Sequence, residues 1–171
     1  MNAAGSLHGS GERIQFGAVA ADGVLGGLLA AAVVAVVFFI HDVIQGIPLH
    51  TPSVLGANLF WGAEAARSMR ADVVVALAYN AVHMASLVAG AMLIAYVAAL
   101  GQRFPGVWYL PFIAVATFVC GVLYVDGALG VAGLGRFRLT AVALLGASTV
   151  IAFLLWRHPI IVKHMHDAWR S

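Results

Sequence analysis

Three ionisable residues gather where a long apolar run ends. His41 and Asp42 stand side by side at the end of that run, and His50 follows the next turn. Neutral imidazole is a common metal ligand and titrates near physiological pH. A charge at the centre of a bilayer costs about 2.5–3.5 kcal/mol, so each group needs a partner or a neutral form. The chemistry that these residue types suggest is metal or haem binding, or proton transfer.

A second polar group lies inside a later apolar run, in the segment AYNAVHM at residues 78–84. Asn80 and His83 are three residues apart, so they share one face of a helix. At ~1.5 Å per residue, His83 lies ~16 Å below a helix start at Asp72. Chain direction brings the ends of the first and third apolar runs to one surface, and Asp126 ends the third. We therefore predict a polar funnel made, from rim to floor, of His50, Asp42, His41, Asp126, Asn80 and His83.

Two interpretations of this funnel remain open. In the structural one, Asp42 accepts hydrogen bonds from the turn or a neighbouring helix, His83 donates to a carbonyl or to Tyr124, and the cluster fixes helix order. In the functional one, the two aspartates act with His83, and with His41 and His50, to bind a metal ion or haem, or to relay protons.

Several absences count against particular cofactors. A bis-histidine haem needs two imidazoles at similar depth on facing helices, and the last apolar run contains no histidine to pair with His83. Di-metal carboxylate sites need several glutamates, and no apolar run contains one. The tail segment KHMHD, residues 163–167, could hold a soft ion such as copper through His164 and His166. A solvated amphipathic tail is the better interpretation of that segment.

Enzyme function finds no support in the residue pattern. Cys120 is the one cysteine and lies inside an apolar run, and Ser86 neighbours His83 without an orienting carboxylate at that depth. No Gly-rich phosphate loop follows a strand. The 9 basic and 7 acidic residues are spread among termini and loops, which is no nucleic-acid-binding stripe. We predict neither catalysis nor nucleic-acid binding.

The composition indicates a membrane protein. Of 171 residues, 63% are hydrophobic and 9% charged, whereas roughly a quarter are charged in a soluble domain. Four stretches lack Asp, Glu, Lys and Arg, namely 23–41, 73–102, 104–125 and 139–156. Each reaches the roughly 18 residues of a candidate spanning helix. The fold class predicted is all-α, an integral membrane four-helix bundle.

The predicted organisation leaves no room for a second domain. A polar amino-terminal tail covers residues 1–22, a four-span domain covers 23–157, and an amphipathic tail covers 158–171. The spans lie at about 23–45, 72–100, 106–128 and 139–157.

Between the first two spans we predict a short interfacial or re-entrant helix at about 52–66. Thr51 can cap it and Pro52 suits its first position, while the apolar residues that follow cover too few turns to cross a bilayer.

Helix contacts and orientation follow from small and basic residues. Gly23 and Gly27 have GxxxG spacing, which lets helix backbones approach in lipid. With four spans, both termini share a side with the 101–106 loop. That side carries five basic residues against four on the other, which favours cytoplasmic termini in a bacterial inner membrane.

The chain resembles a group of small four-helix bacterial membrane proteins of uncharacterised function. The resemblance rests on the Asp42 turn, TPSVLGANLF at 51–60, AYNAVHM with His83, and LLWRHP at 154–159. It implies that the Asp42 turn, the short helix and His83 form one recurring unit.

The function predicted is that of a non-enzymatic accessory or scaffolding subunit, with the bilayer, other membrane subunits or copies of itself as partners. The first alternative is a metal, haem or proton-relay site lined by Asp42, His83 and Asp126. The second is a small transporter that acts as an oligomer.

Overall fold

The computed structural model describes residues 16–107, 109–129 and 136–157, with Lys163 and His166 beyond them. For 102, 103, 105, 122–129, 136–143 and 154 it describes the backbone alone. Every regular element in this part of the chain is helical, which confirms the predicted all-α class there. The helices are α1 (Phe16–Ile44), α2 (His50–Trp61), α3 (Ala63–Ser68), α4 (Val73–Arg103), α5 (Leu110–Leu129) and α6 (Arg136–Arg157), with a 3-10 turn at Pro105–Val107 before α5.

Two helices are long and apolar enough to cross a membrane. They are α1, with a mean hydropathy of 2.7, and the Val73–Gly101 part of α4, with 2.0. At ~1.5 Å per residue, 29 residues extend ~44 Å, more than the ~30 Å of a hydrocarbon core. The apolar stretches described in the other two long helices are shorter, Leu110–Gly121 and Leu144–Arg157. The described part of the chain therefore has two candidate spans, which indicates membrane association.

The α1–α4 contact depends on glycine. A Cβ atom placed at Gly23 would lie 2.5 Å from the Met92 Cα, and one at Gly27 would lie 2.5 Å from the Val88 Cα. Both distances are too short for any side chain, so the two backbones touch directly. Because Gly23 faces Met92 and Gly27 faces the earlier Val88, the two helices run antiparallel. Close backbone approach of this kind maximises dispersion contact.

The opposite flank of α1 packs on α6. A Cβ at Gly26 would lie 3.1 Å from the Phe153 ring, and one at Gly146 would lie 3.2 Å from a Val34 methyl. Helix α5 packs against both α4 and α6. The main buried cluster is small and aliphatic, and consists of Ala30, Ala91, Ile94, Ala95, Val115, Val119 and Val150.

The segment between α1 and α4 differs from the prediction. Instead of one helix at 52–66, there are two, and the chain turns back at Gly62. The Gly62 φ of 89° and ψ of 177° suit glycine and strain any other residue. Ala66 of α3 then packs against Val54 and Ala57 of α2. The two helices form a hairpin, which we call the α2–α3 hairpin.

The first helix also begins earlier than the prediction for a polar tail at 1–22. Helix α1 starts at Phe16, because Asp22 does not end the apolar segment. The Asp22 carboxylate is buried and accepts a hydrogen bond of 2.8 Å from the Nε of Arg157, at the end of α6. Pairing makes a carboxylate tolerable on a packed helix face.

Candidate functional site

Asp42 lies at the end of α1 and is 1% exposed. Its Oδ2 accepts a 2.7 Å bond from the backbone N–H of Thr51, and its Oδ1 accepts a 2.5 Å bond from the Thr51 hydroxyl. The His41 Nδ1 lies 3.3 Å from the same Oδ1. The first N–H groups of a helix have no partner within the helix, and an anion there is favourable. Asp42 therefore caps α2 from the end of a different helix.

A strained turn makes this capping possible. Gly46 has φ +72° and Leu49 has φ +64°, and the left-handed conformation costs a residue with a side chain roughly 1–2 kcal/mol. The N–H of Ile47 donates to the Asp42 carbonyl at 3.0 Å. The turn reverses the chain within a few residues, so that α2 begins beside the carboxylate that caps it.

Ser53 joins the same helix to the start of α4. Its buried Oγ accepts a 2.9 Å bond from the backbone N–H of Asp72, and its hydroxyl hydrogen can reach the carbonyl of Leu49 at 2.6 Å or that of Asp72 at 3.0 Å. Asp72 in turn accepts a 3.0 Å bond from the N–H of Val75 through Oδ1 and so caps α4. We call Asp42, Thr51, Ser53 and Asp72 the aspartate bracket.

His83 lies in a second, separate environment. Its ring stacks on that of Tyr79, with 5.6 Å between centroids and 13° between planes. Within the described part of the chain, the buried His83 Nε2 has no hydrogen-bond partner. Gly56 of α2 covers Tyr79, because a Cβ there would lie 3.1 Å from the Tyr79 Cβ. The imidazole is thus held by an aromatic contact and leaves one ring nitrogen unused.

Asn80 and Asp126 lie in α4 and α5, two helices that pack against each other. Asn80 is half-buried in α4. The backbone of Asp126 lies in α5, while its side chain is outside the described residues. A Cβ at Gly90 would contact the Phe118 ring at 3.4 Å, so Phe118 of α5 packs beside the middle of α4. The predicted place of Asp126 at the rim of the funnel stays a prediction.

The structure divides the predicted funnel in two. The α1–α4 register sets Asp42 opposite the first turn of α4, about 15 Å from the level of His83 along the helix. The bonding partners of Asp42 are His41 and Thr51. The bracket and the Tyr79–His83 pair are accordingly two sites.

No metal-binding group is assembled within the described residues. No three side chains of His, Cys, Asp or Glu cluster there, so His41, His50 and His83 do not form one site. His41 and His50 are half-buried near the surface turn. In the tail, His166 is exposed and His164 lies outside the described residues.

Two features of this site have no signal in the local sequence. The Asp22–Arg157 pair joins residues at opposite ends of the chain, and no spacing rule connects them. Ser53 looks like an ordinary first-turn residue of a helix, yet it bonds to a residue that begins another helix. The one available sign was the polar Thr51-Pro52-Ser53 run between two aspartates in a chain with few charges.

No protein-family model, curated protein or solved structure matches this chain. The resemblance to small four-helix bacterial membrane proteins therefore stays a hypothesis. What the chain does has to be argued from its own geometry.

Proposed function

We propose that this protein is a non-enzymatic, multi-pass integral membrane protein that serves as a small accessory or scaffolding subunit of a membrane complex. The observation that carries the proposal is the apolar outer surface of the two longest helices. Large hydrophobic side chains are exposed there, among them Leu25, Leu29, Val36, Phe39 and Ile40 on α1 and Val74, Leu77 and Leu93 on α4. Water penalises such a surface by about 25 cal/mol per Å², whereas lipid tails do not.

The use of the buried polar groups supports a structural role. In the described part of the chain, the buried polar or charged side chains are Asp22, Asp42, Thr51 and Ser53. Each of them bonds to another helix or to the turn before α2. These groups hold helices together and leave little capacity for a substrate.

The proposal includes α5 and α6 as further spans. They pack against α4 and α1, and the charge-free stretches 104–125 and 139–156 cover most of their length. Four spans place both termini on one side, which the basic residues favour as the cytoplasmic side of a bacterial inner membrane. Small residues such as Gly23 and Gly27 already serve internal packing, so the exposed aliphatic faces are the surfaces left for partner helices.

Cysteine labelling tests the membrane arrangement. In a Cys120→Ser background, single cysteines replace Ile47 in the α1–α2 turn, Gly106 in the turn before α5, and Leu29 at the middle of α1. With a membrane-impermeant maleimide, Ile47→Cys should react in spheroplasts and Gly106→Cys only in inverted vesicles. Leu29→Cys should react in neither until detergent is added.

Each outcome of that experiment bears on a different part of the proposal. Labelling of Leu29→Cys at the rate of Ile47→Cys would contradict membrane insertion. The reverse pattern at the two turns would overturn the orientation alone. Purification in mild detergent with light scattering then tests the subunit role: a larger partner at fixed stoichiometry supports it, and a partner-free homo-oligomer favours the transporter alternative.

A second candidate function is a proton-relay, metal or haem site at His83. The observation that favours it is the buried Nε2 of His83, which has no hydrogen-bond partner in the described residues. The visible spectrum and metal content of the purified protein test it. A Soret band or a stoichiometric metal that is lost in His83→Ala would favour this site over the scaffold.

A further inference from the structure

The direction of α2 relative to its neighbours is set by two contacts. Ser53 bonds to Asp72, just before α4 begins. One turn later, a Cβ at Gly56 would lie 2.8 Å from a Val75 methyl and 3.1 Å from the Tyr79 Cβ. Helix α2 therefore advances along α4 in the same sense and runs opposite to α1. After the surface turn, the chain heads back towards the middle of the molecule.

From this direction we infer that the α2–α3 hairpin is a wedge inserted into the membrane, with the tip residues Leu59, Phe60 and Trp61 in contact with lipid acyl chains. The inference rests on the proposed membrane location and adds a lipid-binding surface to it. Trp61 lies eight residues beyond Ser53, so it reaches up to ~12 Å further along α4. That depth is below the phosphates and well short of the bilayer centre.

Burial along α2 fits a wedge better than a helix lying flat on the surface. A surface helix has an apolar face and a polar face along its whole length. In α2, by contrast, all residues from Thr51 to Ala57 are buried by protein. The three tip residues after Asn58 are then exposed, Trp61 by 63%. The division is along the helix axis, between a base held in protein and an apolar tip.

Two backbone hydrogen bonds within the hairpin hold its tip. The N–H of Gly62 donates to the Asn58 carbonyl at 3.0 Å, and the Gly62 carbonyl accepts from Ala66 at 3.3 Å. Irregular backbone at membrane depth requires such internal pairing. Next to the tip, Val74 and Leu77 expose a large apolar area on α4, with Val74 76% exposed. The tip therefore continues an apolar surface that already exists.

The charged residues of the hairpin lie on the returning arm. Glu64 and Arg67 form an exposed ion pair at 3.2 Å, and Arg70 is exposed three residues further on. Arginine can bury its stem in an apolar layer while its guanidinium stays at the surface. This places Arg67 and Arg70 where lipid phosphates would accept their hydrogen bonds. Trp61 has the amphipathic ring that is enriched at this depth.

Spin labelling measures the depth of the tip. In the Cys120→Ser background, a nitroxide is attached to Trp61→Cys, to Leu77→Cys on the neighbouring part of α4, to Ile47→Cys at the surface turn, and to Leu29→Cys. The proteins are placed in vesicles of phosphatidylcholine and phosphatidylglycerol. Collision rates with oxygen and with a nickel chelate then give each depth. The label at 61 should match that at 77, with an oxygen-to-nickel ratio several-fold above that at 47.

The controls separate this inference from the membrane proposal. A label at 61 as open to nickel as that at 47, with Leu29→Cys deep, would overturn the wedge and leave the membrane span intact. Access of nickel to Leu29→Cys would overturn both. Low collision rates with both reagents at 61, while oxygen reaches 77, would mean that a protein partner covers the tip, and this also overturns the lipid contact.

Discussion

Helices α1 and α4 are held together at two places by different means. Near the start of α1, Gly23 and Gly27 let the two backbones touch, and no polar group takes part. Near its end, the link is indirect: Asp42 bonds to Thr51, and Ser53 bonds to Asp72. At the glycine contact, any added side chain would clash with α4. At the bracket, a substitution is expected to destabilise the protein where it breaks a hydrogen bond. The two ends of α1 are therefore constrained differently, one by shape and the other by hydrogen bonding.

The largest effect is expected from Gly27→Leu. A Cβ there would already lie 2.5 Å from the Val88 Cα, and the longer side chain must push the helices apart. Overpacking costs typically 1–3 kcal/mol and occasionally more, and here we expect at least about 3 kcal/mol. Thermal unfolding in detergent measures it. The matched control is Gly17→Ala on the same helix, where nothing lies within 4 Å of the added Cβ; equal destabilisation of both would show that α1 and α4 do not touch at Gly27.

Asp42→Ala should follow, with a loss of about 2–3 kcal/mol, because it leaves the buried Thr51 N–H and hydroxyl without an acceptor. Asp42→Asn keeps one acceptor oxygen and should lose less. A double-mutant cycle with Thr51→Val isolates the pair, since the two changes together remove both ends of one hydrogen bond. If the two effects simply add, Asp42 does not cap α2 through Thr51.

Ser53→Ala should cost about 1 kcal/mol, since the part-buried hydrogen bond from the Asp72 N–H to the Ser53 hydroxyl is lost. Ser68→Ala is the control, because that hydroxyl is exposed and its bond to the Ala65 carbonyl is 3.4 Å long. Surface substitutions of that kind stay within about 0.5 kcal/mol. Equal unfolding temperatures for the two variants would show that the Ser53–Asp72 hydrogen bond does not stabilise the protein.

The smallest effect is expected from His83→Phe. The ring can still stack on Tyr79, and a buried nitrogen without a partner in the described residues is removed. Stability should therefore change by no more than about 0.5 kcal/mol. A loss of about 2 kcal/mol or more would reveal a hydrogen bond to His83. His83 would then stabilise the fold through polar pairing, as the aspartate bracket does.

The positions of the long helices could be predicted because apolar runs of sufficient length are a local property. The charge-free stretch 73–102 begins at the same residue as α4 and ends one residue before it. Asp72 was predicted at the start of that helix for its charge, and it caps α4 through its side chain. Asp42 could likewise be singled out from the local sequence, because it is a charged residue at the end of an apolar run.

The partners of these groups could not be predicted in the same way. The depth of Asp126 depends on how far α5 is shifted along α4, which its own sequence does not specify. The break at Gly62 depends on a backbone reversal that a lone glycine in a helical pattern does not require. The Asp22–Arg157 contact requires the whole arrangement of α1 and α6. The polar residues could thus be identified from the sequence, whereas their hydrogen-bond partners depend on how the helices pack.

The Asp22–Arg157 contact also bears on the order of events during synthesis. Helix α1 is synthesised first. Asp22 can bond to Arg157 only after Arg157, the last residue of α6, has left the ribosome. Until then, the Asp22 carboxylate lacks its bond to Arg157, and Gly26 lacks the Phe153 ring that packs against it in the folded protein. A chain that stops before α6 would leave this part of α1 uncovered.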